Sequence, residues 1–400
     1  VQPLEVTVDD VAAGGDGIAH DPDGRVVFVR GAIPGDSVAV EVTEDRPRMA
    51  KGHVTEVLEP SEDRVAAPCV HVADGCGGCG WQHIGLDAQR RYKVRIAEEA
   101  LRRIGRMSGT VDAGPPLPAV GFRTTVRCLV VGGRAAFRAA QSHDPVSVEH
   151  CMVAHPAIDE LIADGRYGEA SEVTLRVGAR TGERLAIVDP AVDPDIELPG
   201  DVRVVGVDEI RHGRRAWFTD HVDGRSFRIS AESFFQTRTD GADALVDAVR
   251  SAGAGHWGSG RLVDLYGGVG LFAGCLGEGM KTELVESNRS SAADATFNLR
   301  DRGAKVIRVP AERWRPDPAD VVIADPPRAG LGAQVVGRVV ATGAARVVLV
   351  SCDAASFARD ARLLSDGGYD LVSTTLIDLF PHTPHVELVS RFDRDAGTDA

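Results

Sequence analysis

The sequence predicts an α/β chain of three units: a small β-barrel, a central mixed β domain and a C-terminal βαβ domain. Strand-like runs broken by glycine turns fill the first 60 residues, and a looser mixture of β runs continues to about residue 230. From Ala231 onward, short apolar runs alternate with helical periods, as in a buried parallel sheet with crossover helices. The 400 residues exceed what one hydrophobic core serves, which fits a division at 1–60, 61–230 and 231–400.

In the first unit Leu4–Val8, Arg25–Val29, Ser37–Val42 and Gly52–Leu58 have strand character. Gly14-Gly15-Asp16-Gly17, Asp21-Pro22-Asp23-Gly24 and Pro34-Gly35-Asp36 separate them as turns. Short strands in this order make an OB-like barrel. The order resembles a TRAM domain, the RNA-binding barrel of several RNA-modifying enzymes; a barrel of purely structural role is the alternative.

The central unit opens with Cys69, Cys76 and Cys79, the last two separated by Gly77-Gly78. A C-x2-C pair lets two thiolates reach one metal centre, and the glycines permit a tight wrap. Zinc and an iron–sulfur cluster both require a fourth ligand. Cys151, in Glu149-His150-Cys151-Met152, suits that place better than Cys128, which lies in the apolar run Val126–Val131 and reads as core filler. Spacing alone leaves a cluster, zinc or unligated thiols open. The net charge of −14 argues against a protein coated for nucleic acid. The charge is uneven, however: Trp81 to Ala140 holds eleven Arg or Lys against four Asp or Glu, a local +7. That segment contains an amphipathic helix, Gln89 to Arg106, with Val94, Ile96, Ala97, Leu101 and Ile104 inside, expected to lie across the central β domain. It reads as an RNA-tracking surface or as a solvated helix face.

In the third unit the strand Arg261–Leu265 feeds Tyr266-Gly267-Gly268-Val269-Gly270, whose glycines let a ligand approach the backbone closely. No G-K-[ST] follows, so this is not a P-loop. Glu286 ends the next strand about twenty residues on, where an acid can accept two ribose hydroxyls. NAD and S-adenosylmethionine both suit that arrangement. Asp325-Pro326-Pro327, after the strand Asp320–Ala324, decides for S-adenosylmethionine, because an acid followed by Pro-Pro there is typical of base-modifying methyltransferases. Cys352 then follows the strand Arg346–Val350, and Phe380-Pro381-His382-Thr383-Pro384-His385-Val386-Glu387 comes later. A lone strand-end cysteine is usually a small buried hydrophobe. A cofactor pocket before it and a late glutamate after it point instead to covalent catalysis on an electrophilic ring.

Taken together, the barrel, the cysteines, Phe234-Phe235-Gln236, Asp264–Gly270, Asp325–Gly330, Ser351-Cys352 and His382–Glu387 resemble the uracil-5 RNA methyltransferase family. The resemblance covers nearly the whole chain. It implies a Rossmann-like class I methyltransferase domain behind an N-terminal OB-like β-barrel (TRAM) and a central mixed β domain. It also implies methyl transfer from S-adenosylmethionine to carbon 5 of an RNA uridine. Cys352 would be the nucleophile and Glu387 the base. Gln236, Tyr266, Glu286 and Asp325 would line the cofactor site with the turn glycine Gly268, and Cys69, Cys76, Cys79 and Cys151 would bind a [4Fe–4S] cluster. Ribosomal RNA is the expected target before tRNA. The chain departs from the family pattern at Leu271 (usually Asn), at Pro310 (usually acidic) and at Asp353-Ala354 (usually Asn-Pro). Two other readings differ in class: a small-molecule C-methyltransferase, and a non-catalytic RNA-binding assembly factor with a vestigial cofactor fold. No window reaches the roughly 18 apolar residues of a membrane span, and no export signal is read, so a cytoplasmic protein is expected, with a monomer as the default state. The tail Asp393 to Ala400 reads as disordered.

Overall fold

The computed structural model describes residues 4–395. Strands β1 (Leu4–Val11), β2 (Gly17–His20), β3 (Val26–Arg30), β4 (Ser37–Arg46) and β5 (Met49–Glu59) close into a barrel in the order β1-β2-β3-β5-β4. Period-two alternation turns Val6, Val8, Val27, Val29, Val38 and Val40 into its core. The β1–β2 turn contains Gly15 at φ 94°, and a Cβ there would lie 2.8 Å from Trp81 Nε1 and 2.9 Å from Pro384 Cβ. A glycine is thus required where the barrel presses on the rest of the chain.

Helix α1 (Leu86–Ala100) follows, then the two-residue strand β6 (Asp112–Ala113). The central sheet comprises β7 (Thr125–Val131), β8 (Arg134–Arg138), β9 (Pro145–Ser147), β11 (Glu172–Val177), β12 (Arg184–Asp189) and β14 (Arg203–Gly206), ordered β14-β12-β11-β7-β8-β9. Helix α2 (Pro156–Asp164) packs on it, β10 (Arg166–Tyr167) pairs with β13 (Ile196–Glu197), and α3 (Val207–Arg211) leaves its edge. Cys128 is core here, 1% exposed. The hairpin of β15 (Trp217–Val222) and β16 (Arg225–Ser230) leads into the last unit.

There β17 (Arg261–Leu265), β18 (Lys281–Val285), β19 (Lys305–Ile307), β20 (Val321–Ala324), β21 (Arg346–Ser351), β22 (Tyr369–Leu376) and β23 (Leu388–Arg394) form a sheet ordered β19-β18-β17-β20-β21-β23-β22, with β6 on its edge. Only β23 runs against its neighbours. Successive residues feed opposite faces, Leu262 one core and Val263 the other. On one side lie α4 (Thr239–Ala252), α5 (Leu271–Leu276) and the β15–β16 hairpin. On the other lie α7 (Gly332–Ala341) and α8 (Ala354–Asp366); α6 (Arg289–Asn298) joins β18 to β19.

Helix α1 is not where the sequence put it. Tyr92, Ile96, Ala97, Ala100 and Leu101 share a core with Phe357, Ala361 and Leu364 of α8, so α1 packs on the C-terminal sheet, not across the central one. Ile104 is exposed, because Leu101–Gly105 forms a π-type turn that rotates the apolar stripe. The local positive charge is largely consumed as well. Arg91, Lys93, Arg95, Arg102, Arg103, Arg127 and Arg138 pair with Asp63, Asp378, Asp10, Glu99 and Glu172, so seven of the eleven cations are partnered by carboxylates. At the other end Asp393 and Arg394 complete β23, against the expectation of disorder, and residues 396–400 lie outside the described residues. Among the described residues no helix is long and apolar enough to cross a membrane.

Candidate active site

Tyr266, Glu286, Asp325 and Cys352 are each the first residue past a strand, following β17, β18, β20 and β21. The parallel strands deliver all four to one edge of the sheet. They flank the point between β17 and β20 where the chain reverses its direction of travel across the sheet, the usual crevice for a ligand in open α/β folds.

The turn after β17 is left-handed at Tyr266 (φ 59°), Gly268 (φ 54°) and Gly270 (φ 91°). A Cβ at Gly268 would meet nothing within 4 Å, so backbone borders open space there. Glu286 braces the turn: its Oε2 accepts from Gly268 N at 3.0 Å and its Oε1 from Asn288 N at 2.6 Å. Underneath, Asp264 is fully buried, with Oδ2 accepting from Ala273 N at 3.0 Å and Oδ1 unpartnered. Burial pushes its carboxyl up to about 7. Tyr266 is half-buried and its phenol is pushed up to about 12, mainly by burial. Gln236 is half-buried beyond the end of β16, after exposed Phe234 and buried Phe235. An open glycine turn, a braced acid and an orphaned buried carboxylate oxygen fit a polar, cationic nucleoside cofactor.

Cys352, Glu387, Asp325 and Arg328 converge beside this turn. Burial, then the charges of Glu387 and Asp325, push the Cys352 thiol up to about 11, with Arg328 opposing. Glu387 is 4% exposed and ends the loop between β22 and β23, closed by Ile377 N donating to Glu387 O at 2.8 Å. Burial, then Asp325, hold its carboxyl well above the usual range. Asp325 is itself pushed up to about 7 by burial. Two desolvated carboxyls beside a thiol disfavour one another's ionisation, and Arg328 is the cation that opposes the upward shift at Cys352 and Glu387. For Arg328 the sequence carried one signal, its place directly after two rigid prolines.

The departures from the family pattern have structural posts. Leu271 begins α5 and is buried in the core at 6% exposure. Asp353 is the N-cap of α8, its side chain accepting from Ser356 N at 2.8 Å. Pro310 precedes a short 3-10 turn, Ala311–Arg313.

Away from this edge, Cys69, Cys76, Cys79 and Cys151 line one cavity of about 250 Å³. Burial pushes the Cys79 thiol up to about 11, with Cys151 and Cys76 adding to the shift. Among the described residues no three His, Cys, Asp or Glu side chains group closely enough to hold a metal ion.

Residues 1–55 match the TRAM domain family. An RNA methyltransferase of Streptomyces avermitilis is 37% identical, over 97% of this chain and 98% of its own length. One from Streptomyces coelicolor is also 37% identical, over 97% and 92%. The chain belongs to this RNA methyltransferase family. A solved tRNA (uracil-54, C5)-methyltransferase from Pyrococcus abyssi, in complex with S-adenosyl-L-homocysteine, superposes with a TM-score of 0.75. It is 23% identical and covers 97% of this chain and 99% of its own, so the shared fold is that of an S-adenosylmethionine-dependent methyltransferase. RNA is the substrate class of this family, and the barrel of the enzyme is a TRAM domain.

Proposed function

We propose that the enzyme methylates carbon 5 of a uridine in RNA through a covalent adduct on Cys352. The observation that carries this is the convergence of a strand-end thiol with two buried carboxyls and one arginine beside the glycine turn. Carbon 5 of uracil is a weak nucleophile until something adds at carbon 6. Cys352 supplies a thiolate that forms the S–C6 bond, and the C5=C6 electrons move onto the C4 carbonyl as an enolate. S-adenosylmethionine supplies an electrophilic methyl group. Once carbon 5 carries the methyl, Glu387 takes its proton, and the returning electrons expel the Cys352 thiolate. Asp325, Glu286, Tyr266 and Gln236 hold the donor with Gly268, and Asp325 transfers no proton. The target base must leave its stack to reach Cys352, so a loop or flipped nucleotide is the substrate form.

Ribosomal RNA is the proposed target class, with tRNA the alternative that the Pyrococcus abyssi enzyme's own substrate raises. Mass-spectrometric mapping of 5-methyluridine in total RNA, with and without this gene, tests both. Loss at one or more ribosomal positions supports the proposal; loss only in tRNA redirects the target; no loss overturns carbon 5 methylation.

For the cysteine cavity the proposal is a [4Fe–4S] cluster on Cys69, Cys76, Cys79 and Cys151 that fixes the loop and takes no part in redox turnover. Four thiols facing one cavity suit soft iron–sulfur ligation. Tetrahedral zinc at about 2.3 Å needs sulfurs within about 4 Å of one another. A four-iron cluster holds its four cysteine sulfurs farther apart than a single zinc does. Anaerobically purified protein is expected to be brown with about four irons per chain. Colourless protein carrying one zinc sinks the assignment.

A further inference from the structure

Glu387 ends an eleven-residue loop, Ile377 to Glu387, and a loop of that length does not by itself hold a buried carboxyl in register. Its anchors come from far away in sequence. Lys93 of α1 is 0% exposed, and its Nζ donates to Asp378 Oδ1 at 2.6 Å and to Phe380 O at 2.8 Å, across 285 and 287 residues. Gln89, one turn earlier on the same face, accepts from His382 N at 2.7 Å. Trp81 N donates to His382 O at 2.9 Å, and His382 is held at φ 66°, a conformation that costs a non-glycine residue energy. Phe380 meets the ring of His385 edge-on at 5.9 Å, and His385 lies 3.4 Å from Arg328. Buried charge is retained against its desolvation cost only where the geometry is well made and hydrogen-bonded, as it is at Lys93.

Resting on the assignment of Glu387 as the base, we propose that Lys93, with its partner Asp378, is a positioning residue for Glu387. The α1 anchor fixes the loop so that the carboxylate faces the carbon 5 proton after methyl transfer. Lys93 touches neither substrate nor cofactor. A misplacement of about 1 Å at such a carboxylate can cost about a hundredfold in rate. The affected step is proton removal and release of Cys352, not RNA capture.

The test compares Lys93→Met, the double variant Lys93→Met/Asp378→Asn, and Glu387→Gln with wild type. The double variant removes both buried charges together, so it remains a valid reading if the single variant fails to fold. The double variant is expected to lose about a hundredfold in kcat with KM for RNA falling in step, because the slowed release follows irreversible methyl transfer, and with the RNA Kd within twofold. It should also accumulate an S-adenosylmethionine-dependent covalent RNA–protein band on denaturing gels. A merely structural role would lower the active fraction without any such band. Wild-type turnover by the double variant overturns the proposal. So does lost turnover with no band, while Glu387→Gln in the same experiment forms one. If Glu387→Gln forms no band either, the base assignment itself falls, and the anchor's role in catalysis falls with it.

Discussion

Replacing Cys352 with Ala is expected to abolish methyl transfer, by at least ~10⁴-fold, while leaving RNA and S-adenosylmethionine binding within about twofold of wild type. The asymmetry follows from the geometry. Cys352 follows the end of β21, and the cofactor-side residues follow β17, β18 and β20, so truncating one half-buried thiol disturbs neither the glycine turn nor the barrel. The same site dictates how the intact thiol responds to pH. Burial and the neighbouring carboxyls raise it to about 11, so the ligand-free thiolate is scarce at neutral pH and grows about tenfold per pH unit. The sign is fixed: a thiol raised above its ordinary value reacts more slowly at pH 7 than a free cysteine and gains steadily as pH rises. Iodoacetamide alkylation of ligand-free protein, followed on the Cys352 peptide, should therefore climb between roughly pH 7 and 9 with a slope near one. A tritiated-methyl transfer assay on Cys352→Ala with activity near wild type would remove the nucleophile from the mechanism. A flat alkylation profile would say that the thiol is already ionised and that Arg328 outweighs the carboxyls.

Much of this site was legible because buried parallel strands read as unbroken apolar runs. Arg261–Leu265 matches β17 residue for residue, and the runs ending at Ala324 and Val350 mark Asp325 and Cys352 as the residues leaving the sheet edge to within one position. Periodicity could not say what α1 packs against. Its stripe would suit any apolar face, and the contact that decides its place joins Lys93 to Asp378 across 285 residues. Nor does a count of charges reveal that Arg127 and Arg138 both close on Glu172, which removes them from any free basic surface. Asp353 stood out in the sequence only as a departure from the family pattern, yet an Asp three residues before Ser356 at a helix start is an N-cap by local chemistry, whatever a family prefers there.

Glu387→Gln should give the most distinctive result. The substitution keeps the shape of the side chain and removes the base, so the reaction is expected to run through thiolate addition and methyl transfer and then stop. The product is a methylated base joined through Cys352, which survives denaturing electrophoresis as a slow-migrating RNA–protein band that forms only with S-adenosylmethionine. The competing view makes Glu387 a strand-end residue satisfied by His382 or His385. Neither histidine hydrogen-bonds the Glu387 carboxyl: His382 Nε2 lies 3.1 Å from Ala119 O while its Nδ1 has no partner, and His385 lies against Arg328. A carboxyl 4% exposed and held well above its ordinary range carries a desolvation cost that a purely structural residue could shed by being Gln. On that competing view Glu387→Gln would be neutral or stabilising and would turn over normally. On the catalytic view it folds as well as wild type, binds RNA and stalls. Because the carboxyl must be ionised to take the proton and is held high by burial and Asp325, wild-type release of the adduct should also slow as pH falls. Adduct formed at neutral pH and then shifted to acidic pH should therefore decay more slowly, and adduct release that does not change with pH would count against Glu387 as the group that removes the proton.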